Sequence, residues 1–226
     1  MILQIETATT VCSVAIASEG KTLTCIEVEQ RNVHAEKITL FIDETLRKAG
    51  KTYADIDAVA VSSGPGSYTG LRIGVSAAKG LCFALDKPLI AVETLAAMAD
   101  GFRQLHSPAG DSLLCPMIDA RRMEVFTAVF GSDGNKIKPT SAEIIDENSF
   151  ADLLSHHQII FFGDGAEKCR KVLGTHAKAR IVTDFMNSAS HLSQKAFQKF
   201  LKQDFEDVAY FEPYYLKDFI AGKKAQ

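Results

Sequence analysis

The sequence predicts a mixed α/β fold built from two tandem units, each with a mixed sheet, of which the second is reduced. Three observations support this prediction. Residues 2–28 contain three segments with strand-like alternation, joined by short polar turns. Residues 33–102 alternate apolar helical patterns with short apolar strands, as mixed α/β folds do. A linker-like stretch at 104–112 then precedes a shorter series of strands and helices.

The first unit is predicted as a meander followed by alternating helices and strands. The meander has strands at 2–5, 11–17 and 22–28, with Glu19-Gly20 as a hairpin turn. Apolar residues at helical spacing and Gly50 at the expected end predict a helix over 33–49. The rest of the unit is predicted as strands at 57–62 and 88–92, a helix over 71–85, and a helix capped by Thr94 that reaches about Phe102.

The second unit is predicted to hold strands at 113–118, 123–130 and 158–162. Its helices are predicted near 150–155, 166–173 and 188–203. We place the domain boundary between residues 104 and 105, so that 1–104 carry the partner interface and 105–226 form the smaller domain. The final helix and tail are expected to dock back on the first domain.

Composition excludes several classes of function. The 226 residues carry a formal charge of −3, so no strong field indicates a nucleic-acid surface. The basic groups Arg121-Arg122, Lys168-Arg170-Lys171 and Lys223-Lys224 are interpreted as solvated faces. Five dispersed cysteines predict reduced thiols rather than disulfides or zinc. No apolar run is long enough for a membrane span and no signal peptide is visible, so we expect a cytoplasmic protein.

One long motif carries a resemblance to a known family. The string Ser63-Gly64-Pro65-Gly66-Ser67-Tyr68-Thr69-Gly70-Leu71-Arg72-Ile73-Gly74 and the opening residues 2–9 resemble the bacterial TsaB (YeaZ) family. Residues 32–36, 163–166 and 213–217 also look family-like. The similarity extends over the whole chain and is strongest in the first hundred residues.

The resemblance implies an actin, sugar-kinase and heat-shock-ATPase (ASKHA, ribonuclease H-like) fold. It also implies a role in forming N6-threonylcarbamoyladenosine (t6A) at position 37 of tRNAs that read codons beginning with A. In this family the chain is regarded as an inactive paralogue of the transferase TsaD. It forms a heterodimer with TsaD, and a small ATPase, TsaE, joins the complex. The resemblance therefore implies a scaffold or activator that contacts tRNA indirectly, through the assembled complex.

Two loops are candidate anion sites. In an actin-type fold the first strand-to-strand loop holds phosphate, but here it reads Glu6-Thr7-Ala8-Thr9-Thr10, without glycine, which indicates a degenerate phosphate loop. The signature loop precedes a helix N-terminus, which suits an anion or a partner contact, but a tight structural turn is the favoured interpretation. Its residues are Gly64, Pro65, Gly66, Ser67, Tyr68, Thr69, Gly70 and Arg72. We expect no cofactor in the isolated chain, and ATP or ADP only in the assembled complex.

No catalytic or metal site is predicted. None of the six histidines has another histidine four residues on, so a two-histidine helical metal site is absent from the sequence. Ser67 does not stand in a G-x-S-x-G motif, because Gly70 lies three residues beyond it. Asp119 and Glu124 could form an acid/base pair, but the intervening Arg121 and Arg122 favour a charge-compensated hairpin turn, with a smaller chance of a functional surface.

The two helices of the first domain are predicted to form the partner interface. Their apolar breadth exceeds what one sheet can cover, so we expect a four-helix contact with TsaD, and a homodimer when the chain is alone. The predicted interface residues are His34, Ile38, Ile42, Leu46, Gly70, Gly74, Ala77 and Leu81. The alternative function is an ATP-dependent transferase or small-molecule kinase of the same superfamily, which predicts ATP binding by the isolated chain. A metallo-glycoprotease-like peptidase is a weaker alternative.

Overall fold

A computed structural model describes residues 1–217, and the basic pair Lys223-Lys224 lies outside the described residues. The first unit forms a five-stranded sheet with three helices. Its strands are β1 (Ile2–Glu6), β2 (Val11–Ser18), β3 (Lys21–Glu29), β4 (Ala58–Ser62) and β5 (Leu89–Val92). Its helices are α1 (His34–Lys48), α2 (Tyr68–Leu85) and α3 (Thr94–His106).

The second unit repeats this order of elements. Its strands are β6 (Leu113–Asp119), β7 (Glu124–Gly131), β8 (Lys136–Ile144), β9 (Ile159–Phe162) and β10 (Ala179–Val182). Its helices are α4 (Ala151–His156), α5 (Ala166–Leu173) and α6 (Ser193–Leu201), with a 3-10 turn at Ala189–Leu192 before α6.

The two sheets have the same topology. The strand orders are β3-β2-β1-β4-β5 and β10-β9-β6-β7-β8, so in each unit the first strand is central. It pairs antiparallel with the second strand and parallel with the fourth: Ile5 faces Val14 and Val61 in the first sheet, and Leu114 faces Phe130 and Ile160 in the second. This order confirms the prediction of two related units.

Several predicted elements differ from the structure. β8 and β10 were not predicted, so the second unit has a full set of strands; it is reduced in α4 and α5, which have 6 and 8 residues against 15 and 18 in α1 and α2. Helix α2 begins at Tyr68 rather than Leu71, because Ser67 caps it. Helix α3 ends at His106 rather than near Phe102, so residue 104 lies inside it. The last helix begins at Ser193 rather than Ser188.

The prediction that Thr94 caps α3 is wrong. The N-cap position is Glu93, and Thr94 is the first helical residue. The Thr94 side chain instead accepts a hydrogen bond from the Gly64 amide at 3.1 Å and contacts the Ser62 hydroxyl at 2.9 Å. Thr94 therefore ties the start of α3 to the signature loop.

The helices form layers on and between the two sheets. One face of the first sheet packs against the apolar stripes of α1 and α2, including Ile42 and Val75. Its other face packs against α6 through residues such as Ala196. Helix α3 packs on the second sheet, where Met98 and Phe102 join the core. The last helix of each unit thus covers the sheet of the other unit.

The C-terminal segment 206–217, here called the strap, crosses from the first unit to the second. The Glu206 amide donates to the Leu89 carbonyl at 2.9 Å, and Lys79 on α2 donates to the carbonyls of Ala209 and Phe211. The Tyr214 amide donates to the Ser63 carbonyl at 2.7 Å. Leu216 then packs on the core of the second sheet, and Lys217 forms an ion pair with Glu124. The strap therefore runs over the signature loop.

Candidate functional site

The signature loop and the β1–β2 loop pack directly against each other. The Ser67 amide donates to the Ala8 carbonyl at 2.7 Å. A Cβ atom added at Gly70 would lie 2.0 Å from the Thr7 carbonyl oxygen, and one at Gly74 would lie 2.2 Å from Thr7 Oγ1. Neither glycine can be replaced without displacing the β1–β2 loop. The glycines therefore serve close packing, which agrees with the interpretation of this loop as a tight structural turn.

Ser67 engages two amides at the start of α2. Ser67 Oγ accepts from the Gly70 amide at 3.2 Å, and the Leu71 amide donates to the Ser67 carbonyl. Arg72 turns toward Tyr68, with its guanidinium 5.6 Å from the centre of the ring. Tyr68 in turn packs against Tyr215 of the strap, with ring centroids 4.6 Å apart. An anion site at this helix N-terminus stays a prediction.

The β1–β2 loop holds its carboxylate inward. Glu6 and Thr7 are fully buried and Thr9 nearly so, while Thr10 is partly exposed. Glu6 Oε1 accepts from the Ala8 amide at 2.6 Å, so the carboxylate occupies a backbone donor that a phosphate would need. Burial raises the pKa of Glu6, against the opposing effect of Ser62 and backbone hydrogen bonds.

A cleft of about 330 Å³ opens between the two units beside this loop. Its lining includes the carboxylates of Glu29, Asp164 and Asp184, and residues 1–217 contribute no lysine or arginine to it. Burial raises the pKa of Asp164 to about 6, and the nearby Asp119 carboxylate adds to the effect. An acidic lining repels phosphates, and the amides of Ala8 and Asp119 already donate to Glu6 and Asp164. These residues do not fit a nucleoside triphosphate.

The β6–β7 turn, residues 119–124, is a compact hairpin. Arg121 and Arg122 both adopt left-handed conformations, with φ of 72° and 49°. This conformation costs a residue other than glycine about 1–2 kcal/mol. Asp119 accepts from the Arg121 amide at 2.8 Å and from Lys168 at 2.5 Å. Asp119 and Glu124 are thus paired with Lys168 and Lys217 rather than with Arg121 and Arg122, so the expected compensation by the two arginines of the turn is wrong.

No metal-binding cluster occurs among residues 1–217: no group of three or more His, Cys, Asp or Glu side chains could hold an ion there. His34 is buried, and its Nε2 lies 3.2 Å from the Val11 carbonyl oxygen. All five cysteines are free thiols. Burial raises the pKa of Cys12 and Cys82 to about 11 and that of Cys115 to about 12, so these thiols are poor nucleophiles.

Most of the predicted interface residues face the chain's own core rather than solvent. Six of them are buried in the chain's own core and cannot touch a partner, namely His34, Ile38, Ile42, Leu46, Gly70 and Gly74. Ala77 and Leu81 are partly buried. Helical periodicity identified the stripe that packs on the sheet, because that stripe has the strongest apolar pattern.

The outward surface of α1 and α2 is made by other residues. Leu40 on α1 is 56% exposed, and Phe83 on α2 is 87% exposed. Gly80 is also exposed, and a Cβ atom added there would have no neighbour within 4 Å. On α2, Phe83 thus stands one turn from Gly80, a position without a side chain, where another helix could approach closely.

Sequence reasoning missed several residues of the cleft and strap. Asp164 and Asn187 line the cleft, and Tyr215 and Lys217 fasten the strap. Asp164 stands within the quoted motif 163–166, so its place in a second glycine-rich turn was the available signal. Asn187 lies in an irregular segment after β10, and no sequence signal marked it.

Among the described residues, no helix is both long and apolar enough to cross a membrane.

Comparison with known proteins agrees with this architecture. The family model described as "TsaD: tRNA N6-adenosine threonylcarbamoyltransferase" matches residues 27–223. The tRNA threonylcarbamoyladenosine biosynthesis protein TsaB of Escherichia coli K12 is 38% identical over 136 residues, which cover 60% of this chain and 57% of that protein. The matched segment thus spans little more than half the length of that relative.

Solved structures share the fold. YeaZ from Pseudomonas aeruginosa superposes with a TM-score of 0.79 at 25% identity, covering 95% of this chain and 99% of that one. The activator of 2-hydroxyisocaproyl-CoA dehydratase from Clostridium difficile, solved with bound ADPNP, has a TM-score of 0.53 at 8% identity, covering 91% and 98%. The similarity to the dehydratase activator concerns the fold alone.

Two like units with a cleft between them define, by their fold, the actin, sugar-kinase and heat-shock-ATPase class of protein, as the family resemblance implied. Within that class the chain belongs to the tRNA N6-adenosine threonylcarbamoyltransferase family, in its TsaB (YeaZ) group.

Proposed function

We propose that this chain is a non-catalytic subunit required for t6A formation in tRNA, and that it acts by binding a TsaD-like transferase. The family model matches most of the chain, and the named relatives are biosynthesis proteins for threonylcarbamoyladenosine. Such a subunit works in the cytoplasm with its tRNA substrates. TsaE is proposed to join the assembled pair, and tRNA to be held by the complex.

The two loops and the cleft support a role without chemistry of its own. The amide of Ala8 donates to Glu6 and the amide of Asp119 donates to Asp164, so neither donor is free for a phosphate. In the part of the chain that the structure describes, the cleft lining carries three carboxylates and no cation. We therefore propose that the isolated chain takes no cofactor, and that ATP or ADP binds only in the assembled complex.

The observation that carries the proposal is the outward surface of α1 and α2. Leu40 and Phe83 are exposed there, and Gly80 leaves room for close helix approach. An exposed apolar surface of this kind is typical of a protein interface. The equivalent helices of the transferase would complete a four-helix contact, and a second copy of this chain would take their place in a homodimer.

Gly80→Glu tests this interface without threatening the fold. The new side chain has open space in the free chain, and replacing a helical glycine stabilises a helix by up to about 1 kcal/mol. In a four-helix contact the same side chain would force the helices apart and bury a carboxylate. At a concentration low enough for both chains to be monomeric, we expect the variant to unfold at a higher temperature than the wild type. In light scattering after size exclusion it should be a monomer and form no heterodimer.

Gly110→Glu is the matched control. Gly110 is exposed in the α3–β6 loop, and a Cβ atom added there would also have nothing within 4 Å. The substitution introduces the same charge away from α1 and α2. This control should keep both assemblies. A Gly80→Glu protein that still forms the homodimer and the heterodimer would show that these helices do not make the interface.

A further inference from the structure

The β6–β7 turn carries two arginines that the proposed scaffold role does not use. Arg121 and Arg122 are exposed and successive, and both hold left-handed backbone conformations. Within residues 1–217, neither guanidinium makes a hydrogen bond, an ion pair or a ring contact. The hairpin thus holds two unsatisfied cationic side chains at its tip, in a conformation that arginine rarely adopts.

The turn is held rigidly from below. Lys168 on α5 bridges its two legs, donating to Asp119 Oδ1 at 2.5 Å and to the Glu124 carbonyl at 2.6 Å. The Asp119 amide donates to Asp164 Oδ1 at 3.1 Å. Inside the turn, the Ala120 amide donates to the Glu124 carbonyl at 3.1 Å. These bonds fix both ends of the turn, so the arginines are presented from a preorganised backbone.

The carboxylates around the turn are each engaged by another group. Asp119 pairs with Lys168, Glu124 pairs with Lys217 of the strap, and Asp164 accepts from the Asp119 amide. None of them accepts from Arg121 or Arg122. Among residues 1–217, the two guanidinium groups therefore have no anionic partner.

The neighbouring surface has the character of a nucleic-acid contact. Two residues before Lys217 in the strap, the ring of Tyr215 packs on the ring of Tyr68. The Arg72 guanidinium lies over the Tyr68 ring. A guanidinium over an aromatic ring, as Arg72 lies over Tyr68, suits RNA, because guanidinium forks bind phosphate oxygens and rings stack on bases.

We propose that Arg121 and Arg122 contact the phosphate backbone of tRNA, with the β6–β7 turn as the tip that meets the RNA. This inference rests on the proposed function, since it places the substrate of the complex against this chain. It assigns the contact to phosphates rather than to bases, so it predicts affinity without sequence preference.

The test uses the double variant Arg121→Gly/Arg122→Gly, because glycine adopts the left-handed conformation without strain. An unmodified tRNA transcript is titrated by fluorescence anisotropy with the full chain alone and with its complex with the TsaD-like transferase. We expect affinity to fall about tenfold, and the slope of log K against log salt to shrink by about 1.5 to 2. Arg121→Lys/Arg122→Lys keeps the charges and should retain part of the affinity.

Lys21→Ala/Lys202→Ala removes two exposed cations elsewhere and should leave the slope unchanged. Unchanged tRNA affinity and slope in the glycine variant, with the complex assembled, would overturn this inference and leave the scaffold role standing. A glycine variant that loses the transferase instead would show that the turn meets an acidic protein surface, which also overturns it. A wild-type chain that binds no transferase contradicts the proposed function; the inference then fails if the chain alone shows no arginine-dependent tRNA binding.

Discussion

At the scale of single residues, His191 shows how burial changes an ionisable group. Its ring stacks on Phe185 with centroids 5.1 Å apart, and a Cβ atom added at Gly101 would lie 2.3 Å from it. Burial lowers the pKa of His191 to about 4, although Glu27 opposes the change. The imidazole is therefore neutral in the folded chain at neutral pH, and its protonation favours the unfolded chain.

The pH dependence of stability follows from this shift. The folded pKa lies below the ordinary value of 6.5, so the contribution of His191 is present above pH 6.5 and is lost as pH falls toward 4. Between pH 7 and pH 5 we expect a loss of about 2 kcal/mol in the free energy of unfolding. His191→Phe keeps an aromatic ring and removes the titration. Urea unfolding at both pH values should show a smaller loss for the variant, and equal losses would contradict this account.

At the scale of elements, the contact between α2 and the β1–β2 loop depends on absent side chains. Thr7 Oγ1 is buried and has no hydrogen-bond partner among the described residues, and it fills the space beside Gly74. A hydroxyl buried in this way contributes little to stability. At Gly70 the Thr7 carbonyl limits how closely α2 can approach the loop, and at Gly74 the Thr7 side chain does so.

This contact predicts a non-additive pair of substitutions. Gly74→Ala should destabilise the chain by about 2–3 kcal/mol, because its methyl group would overlap Thr7 Oγ1. Thr7→Ala alone should change stability by less than about 1 kcal/mol, since it removes an unsatisfied hydroxyl. The double variant should recover most of the loss in denaturant unfolding. Purely additive effects would mean that Thr7 and Gly74 do not share this space.

The same scale explains what the helix patterns could and could not indicate. The stripe Ile38, Ile42 and Leu46 correctly located α1, because a surface helix buries one apolar face on its own sheet. The outward surface is mixed, with Leu40 and Phe83 among polar and small residues, so it has no periodic signal. Strands β8 and β10 lie at sheet edges; β8 is largely polar and β10 has only four residues, and for those reasons alternation did not reveal them.

At the scale of the whole molecule, Lys79 connects the outer helix α2 to the strap. Its ammonium donates to the carbonyls of Ala209 and Phe211 at 3.1 and 3.0 Å. The strap then reaches Ser63 through the Tyr214 amide and Glu124 through Lys217. Loss of the Lys79 hydrogen bonds should therefore weaken the attachment of the strap to the first unit.

Lys79→Met keeps the length of the side chain and removes its donors. We expect the Tyr214 amide to exchange hydrogen about tenfold faster, because the strap opens more readily. Lys48→Met is the control, since Lys48 on α1 pairs with Glu44 and does not touch the strap. Hydrogen exchange followed by NMR measures both. Equal protection of Tyr214 in the Lys79 variant and the wild type would show that the strap is held without Lys79.

The sequence was most informative about the whole and least about the contacts between its parts. Two tandem mixed units, the order of the first unit and the tight signature turn followed from periodicity, turn residues and glycine spacing. The cleft, the strap and the placement of Asp164 beside Asp119 depend on residues far apart in the chain, which no local pattern relates. The domain boundary between residues 104 and 105 stays a prediction.

The exchange of terminal helices between the units has a further consequence. Helix α3 leaves the first unit to cover the second sheet, and α6 returns to cover the first. A chain cut in the loop 107–112 would leave each half with one face of its sheet bare and a helix that belongs on its neighbour. The two halves would then behave as the subunits of an obligate heterodimer, each serving as the template on which the other folds.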